Sequence, residues 1–311
     1  MKSKQQNKVP EEWFRPLERS EMDAEAVVRP SRTYWQDSWH MLRENRLAMA
    51  GLVFLAFLII MAIIGPSLSP NSIEEQSIMN QNMPPSSEYW FGTDDLGRDV
   101  FARTWYGARV SLFVGIMAAM IDFFIGVIYG GIAGYKGGRT DHLMMRVIEV
   151  LYGLPYLLLV ILLAVVMGPG LFTIIIALSV TGWIGMARIV RGQVLQIKNY
   201  EFVLASKTFG TKTRRIIRRN LLPNAMGPII VQLTLTIPSA IFAEAFLSFL
   251  GLGIQAPHAS WGGMLNDALG VILSGYWWRL FFPALFISLT MFAFNVVGDG
   301  LQDALDPKLR R

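Results

Sequence analysis

Six apolar runs, parted by polar stretches, set the pattern of this chain: Leu47–Ile64, Val110–Ala133, Met144–Met167, Leu171–Val190, Met226–Leu252 and Leu280–Val297. Runs of roughly 18 or more apolar residues are long enough for a helix to cross the hydrocarbon core of a bilayer. The pattern predicts an all-α polytopic membrane protein with six transmembrane helices. A signal peptide has its apolar core near the start and a small-residue cleavage site behind it. The first run instead follows the long polar stretch 1–46, so it reads as a retained span.

The polar stretch between the fifth and fourth runs is patterned too. Residues 199–224 (NYEFVLASKTFGTKTRRIIRRNLLPN) predict a short helix from Glu201, with small Ala205 and Ser206 in its middle, then a turn and a second helix ending at Leu222-Pro223. Gly210 supplies the turn, because a left-handed conformation is cheap only for glycine. At about 100° per residue, Arg214, Arg215, Arg218 and Arg219 share one face, and Ile216, Ile217, Asn220 and Leu221 the other. Anionic lipid headgroups account for the arginines, which with Pro223 support the loop. They do not account for the helix before them, whose small side chains admit the close approach of a partner surface. Such an element reads as part of a machine driven by something docked there.

Composition agrees with a membrane protein: 53% of residues are hydrophobic and 16% charged, against about 25% charged in soluble domains. There is no cysteine, which excludes disulfides, zinc–thiolate sites and cysteine catalysis. The net charge of +5 is not a nucleic-acid signal, because in a membrane protein its placement matters more than its sum. Lys and Arg crowd the 191–225 loop, recur in the 134–143 loop as Lys136 and Arg139, and close the chain as Lys308, Arg310 and Arg311. The positive-inside rule therefore puts both termini and these loops in the cytoplasm, and 66–109 and 253–279 outside.

The remaining segments fit that plan. Residues 1–32 read as a polar, disordered cytoplasmic tail. Thr33–Arg46 is either a helix lying on the inner membrane surface or a juxtamembrane linker. In the first outer loop, Gly92 and Gly97 break helices, and Asp94, Asp95, Arg98 and Asp99 lie close enough to pair locally; EF-hand spacing is absent, so a self-paired structural loop is favoured over a calcium site. Trp261, Trp277 and Trp278 are interface anchors. Gly126, Gly130 and Gly134, with Gly115 and Ala119 above them, form a flat stripe on the second span for another helix. Asp122, Glu149 and Glu244 sit inside apolar runs, with Arg188 near the inner end of the fourth. Charges there are costly, so each should face the bundle, a partner or a water-filled path. Pro155, Pro228, Pro238 and Pro283 are potential helix hinges. The chain has no G-x-x-x-x-G-K-[ST] phosphate loop, no H-E-x-x-H and no G-x-S-x-G. His40, His142 and His258 are far apart, so no metal site is expected.

These residues resemble a known family. Glu201-x-x-x-Ala205-Ser206-x-x-x-Gly210 followed by Leu222-Pro223 is similar to the EAA loop of bacterial ABC-importer permease subunits. Residues 91–113 (FGTDDLGRDVFARTWYGARVSLF), 244–253 (EAFLSFLGLG) with Ser260-Trp261-Gly262, and 294–310 (FNVVGDGLQDALDPKLR) resemble C-type permeases of dipeptide, oligopeptide and nickel importers. The likeness covers most of 33–311 and is nearest to the oligopeptide-transport members. Two positions depart from the motif: Ser206 stands for its second alanine, and Asn220 for the isoleucine before Leu-Leu-Pro.

The resemblance implies a non-catalytic permease with the type I ABC-importer transmembrane fold, in a bacterial cell membrane. An interfacial helix, first span and outer loop (33–106) would precede a five-helix transmembrane domain (107–300) and a cytoplasmic tail (301–311). It implies a second, homologous permease beside this one and two ATPase subunits that bind ATP and magnesium, so that this chain needs no cofactor. Those subunits would receive a coupling helix through Glu201, Ala205, Ser206 and Gly210. An external binding protein would deliver oligopeptide, with dipeptide or nickel as alternatives, and would touch Asp94, Asp95, Arg98, Asp99 and Trp261. The competing class is an ion-coupled secondary transporter or a channel. The inverted repeats common in secondary transporters are not discernible here.

Overall fold

A computed structural model of the protein describes residues 33–255 and 258–306; the expectations for the tail 1–32 and for the chain after Asp306 lie outside the described residues. Among the described residues regular structure is helical, apart from one isolated bridge between Thr93 and Asp99. Thr33–Arg46 contains a helix, α1 (Tyr34–Glu44), with Trp35 and Trp39 exposed.

Five helices are long and apolar enough to cross a membrane unbroken. They are α2 (Arg46–Leu68), α3 (Val100–Lys136), α6 (Leu171–Ile197), α9 (Leu222–Phe249) and α11 (Trp278–Leu305). The third apolar run, expected as a continuous helix, is two: α4 (Gly138–Tyr152) and α5 (Tyr156–Met167), bent by 78°. Pro155 is the cause: it has no N–H to donate, and its ring disfavours a helical residue before it. The short helix α7 (Glu201–Thr208) and the single turn α8 (Thr213–Ile216) fill the loop between α6 and α9, and α10 (Trp261–Leu269) lies in the second outer loop.

Several helix boundaries differ from the hydropathy reading. α3 starts ten residues before the apolar run at Val110, because Arg103 and Arg109 mask a stretch that is in fact buried; Asp99 caps it, accepting from the Phe101 N–H at 2.8 Å. Residues 301–305, expected as tail, continue α11, and Ala304 packs with Leu42 and Ala48.

Arg109 shows why a charge belongs there. Pro66, inside α2, has no N–H for the carbonyl four residues back. That carbonyl, Ala62 O, accepts instead from Arg109 Nε at 3.0 Å, and Ile63 O accepts from its Nη2 at 3.1 Å. In lipid an unsatisfied carbonyl is costly, so the arginine ties α3 to α2 where the proline opens it.

The most extensive helix contact joins α3 to α6. Gly126, Gly130 and Gly134 lie directly on α6, as the four-residue stripe predicts. A Cβ at Gly126 would fall 2.6 Å from Met186 Cβ and 3.0 Å from Ala187 N, and one at Gly134 would fall 2.8 Å from Arg191 O. Without a hydrophobic force between helices in lipid, such backbone approach is the main source of association. The seam is pinned at its inner end. Arg191 on α6 binds Asp141 on α4 with both guanidinium arms, at 2.5 and 2.6 Å, and Lys198 Nζ donates to Gly134 O at 2.9 Å.

Gly126→Val should cost about 1–3 kcal/mol of stability, the usual range for overpacking. Gly131→Ala, whose Cβ would sit 3.8 Å from Ile217 Cγ2 in ordinary contact, should be neutral. Thermal unfolding of both variants in detergent checks this.

Candidate functional site

The inner loop forms around one apolar anchor. Val203 is the buried residue of α7, and it joins Met186, Val190, Val194 and Ile197 of α6 and Ile216, Leu221, Ala225 and Ile229 in one cluster. The rest of α7 faces outward. Glu201 and Ala205 are exposed, Ser206 is half-buried, and Tyr200, Phe202, Leu204 and Phe209 present large apolar surface, Phe209 being 87% exposed. Gly210 has φ +71°, the left-handed turn expected of it, and nothing packs within 4 Å of where its Cβ would be. Four exposed apolar side chains on an eight-residue helix and its flanks are a surface made to be covered.

The expected split of the second half holds: Arg214, Arg215, Arg218 and Arg219 are exposed, while Ile216 and Leu221 are buried and Ile217 and Asn220 half-buried. The predicted end at Leu222-Pro223 does not. Ile217–Leu221 forms a π turn, with the Leu222 N–H bonded to Ile217 O, and it runs directly into α9. Pro223 is therefore an early residue of a membrane helix rather than a stop. A proline is tolerated in a first turn, and the widened turn ahead accommodates its ring. The two departures from the EAA pattern meet: Asn220 Nδ2 donates to Ser206 Oγ at 3.3 Å. Linear spacing carried no signal of this contact, nor of Arg191–Asp141.

The outer loop is self-paired. Arg98 binds Asp94 at 2.6 Å, Arg103 reaches the same carboxylate at 3.4 Å, and Arg279 of α11 reaches Asp95 at 3.2 Å. Asp267 of α10 stands 3.8 Å from both Arg98 and Arg103. Burial pushes its carboxyl above the ordinary range, with Arg103 and Arg98 pulling the other way. Asp99 is likewise pushed up by burial, against a hydrogen bond from Ser69. The expectation that this group offers contacts to an external protein is corrected for four of its five residues. Asp94, Arg98 and Asp99 are buried, Trp261 is 0% exposed with its indole N–H on Thr104 O at 3.0 Å, and Asp95 alone is exposed.

The three acids within the apolar runs have separate fates. Glu244 is fully buried and accepts from Ser111 and Ser248, both at 2.8 Å, which joins α3 to α9. Glu149 is exposed on α4 and pairs with Arg146 at 3.0 Å, outside this chain's own bundle. Asp122 is buried on α3, and its Oδ1 has no hydrogen-bond partner. Among the described residues no group of three or more His, Asp or Glu is placed to hold a metal ion.

Comparison with known proteins places this arrangement. Residues 126–311 match the family described as binding-protein-dependent transport system inner membrane component, and residues 33–85 match the N-terminal TM domain of oligopeptide transport permease C. The dipeptide transport system permease protein DppC of Bacillus subtilis is 74% identical over 99% of this chain and 96% of its own length. The oligopeptide transport system permease protein OppC of the same organism is 56% identical over 97% of this chain and 99% of its own. OppC of Escherichia coli K12 is 40% identical over 92% and 95%. Among solved structures, an inward-facing methionine ABC transporter, MetNI, has a chain that matches with a TM-score of 0.55 at 19% identity, over 66% of this chain and 96% of that one. The fold is thus that of an ABC-importer transmembrane domain, and the chain belongs to the inner membrane components of binding-protein-dependent transport systems, as a C-type permease subunit of their oligopeptide and dipeptide branch.

Proposed function

We propose that this chain is the membrane-spanning subunit of an ATP-driven peptide importer. It pairs with a second, homologous permease, docks two ATPase subunits on its cytoplasmic side, and passes on peptide delivered by an external binding protein. The observation that carries the reading is the outward face of α7. Exposed Tyr200, Phe202, Leu204 and Phe209 surround Glu201 and Ala205 on a helix held by one buried valine. A helix so fixed at its back and apolar at its front transmits a push from a partner into α6 and α9. ATP and magnesium belong to that partner, and this chain's part is not catalytic.

Peptide as substrate is supported by relatives whose names cover dipeptide and oligopeptide systems at 74% and 56% identity. The oligopeptide expectation accordingly widens to peptides of either length. The positive-inside pattern supports cytoplasmic termini and a cytoplasmic α7.

Gly210→Pro forces φ from +71° to about −65°, and Glu201→Lys reverses the charge at the exposed start of α7, where the helix dipole favours an acid. Each should lower ATP-driven peptide uptake by more than about tenfold while leaving membrane insertion intact. Transport at the normal rate by the double variant, measured in vesicles, would overturn the docking role. Orientation has its own test: a reporter active only outside should work when fused near Gly92 and be silent near Thr211, and the reverse pattern would invert the topology.

A further inference from the structure

We propose that the groove between the α4–α5 break and α6 is a subsite for the two charged ends of a short peptide, the ammonium at Asp122 and Tyr156 and the carboxylate at Arg188. The inference rests on the peptide reading above and adds to it the residues that hold the substrate in transit.

The groove encloses about 480 Å³ and is bordered by Tyr152, Tyr156, Thr181, Gly182, Gly185 and Arg188. That is the size of a small-molecule site. Gly182 and Gly185 leave the α6 backbone bare along its floor. Asp122 lies directly behind Gly182: a Cβ there would come within 2.8 Å of the Asp122 Cγ and Oδ1. The carboxylate does not itself line the groove; the Gly182 backbone, which does, stands against it.

The polar groups at this end are unmatched. Asp122 is 4% exposed, its Oδ1 has no hydrogen-bond partner, and neither has the Tyr156 hydroxyl, which is within electrostatic reach of Asp122. The other buried acid of the apolar runs, Glu244, is by contrast answered by Ser111 and Ser248. An unpaired carboxylate at membrane depth calls for a cation, and the described residues of this chain place no arginine or lysine in ion-pair distance of it. At the other end, Arg188 is exposed, stacks over the Tyr152 ring at 4.9 Å, and makes no ion pair with a described carboxylate. Gly182 and Arg188 are six residues apart on one helix, a rise of about 9 Å. An extended chain advances about 3.3–3.6 Å per residue, so the ends of a di- or tripeptide span that interval. Charge sign, spacing and bare backbone all fit a free peptide.

The chain has no cysteine, so Gly185→Cys puts a single thiol into the groove, where its Cβ meets only Gln232 Nε2 at 3.7 Å. The measurement is the rate of maleimide labelling in the assembled importer, with a cysteine-free partner permease, with and without tri-alanine. At ten times its Kd, tri-alanine should slow labelling about tenfold. N-acetyl tri-alanine should protect far less, and adding Asp122→Asn should abolish the difference between the two peptides. Tyr156→Phe, which keeps the ring, should weaken protection by tri-alanine and serves if Asp122→Asn fails to fold. Unchanged labelling, in an importer that takes up tri-alanine, overturns the subsite and leaves the peptide reading standing. An importer that takes up no peptide overturns that reading and the subsite with it. Loss of the partner permease from the purified Asp122→Asn complex overturns the subsite too, and assigns Asp122 to the contact between permeases.

Discussion

The close approach of α3 to α6 is the constraint on which the other features depend. Lipid offers no hydrophobic reward for bringing helices together, so contact has to come from shape. Gly126, Gly130 and Gly134 provide it by removing the α3 side chains, so that Met186, Val190, Val194 and the α6 backbone pack directly on the α3 backbone. Asp122 lies one turn further along the same stripe, so the same seam also presses a carboxylate against Gly182. At the inner end the same seam delivers Arg191 to Asp141 and Lys198 to Gly134 O, which fixes where α6 stops and α7 begins. One packing solution thus positions both the groove and the docking helix.

Polar chemistry inside the bundle follows a single economy: a group freed by one irregularity is taken up by the next element. Arg109 takes the carbonyl that Pro66 releases, Trp261 donates to Thr104 O, and Trp278 donates to Thr93 O at 3.1 Å. The outer loop goes further and sinks three arginines with their aspartates among α3, α10 and α11. Breaking the buried Arg98–Asp94 pair by removing one partner is typically worth about 3–5 kcal/mol, whereas Asp95 and Asp267 are about half exposed. Against that background the Asp122 Oδ1 and the Tyr156 hydroxyl stand unmatched, as do Asn71 Nδ2, Trp105 Nε1, Ser179 Oγ and Thr290 Oγ1.

Features with a local physical cause were legible in the sequence. Apolar runs gave the spans, the four-residue glycine spacing gave the α3–α6 face, Gly210 gave its turn, and the angular split of the arginines matched their exposure. Features that depend on what lies opposite were not. Hydropathy could not show that Arg103 and Arg109 belong to a helix, because it does not see the partners that take up their charge: Asp94 and Asp267 for Arg103, and Ala62 O for Arg109. It could not separate the buried Glu244 from the exposed Glu149, since both sit in apolar runs and differ only in which helix faces them. Asp122 was within reach of a linear reading, because it continues the glycine spacing by one step.

The magnitudes decide how the docking helix works. Burying Val203 is worth about 1.5–3 kcal/mol, and the hydrogen bond from Asn220 to Ser206 about 1 kcal/mol. Both are small beside the interface that four exposed apolar side chains would form with a partner. The free chain therefore holds α7 in place only lightly, enough to preset its direction. Both contacts reach the start of α9: Val203 packs among residues of α6, the π turn and α9, and Asn220 of the π turn donates to Ser206. Of the two long helices that flank α7, α6 packs closely on α3 and α9 carries Pro228 and Pro238 within its length.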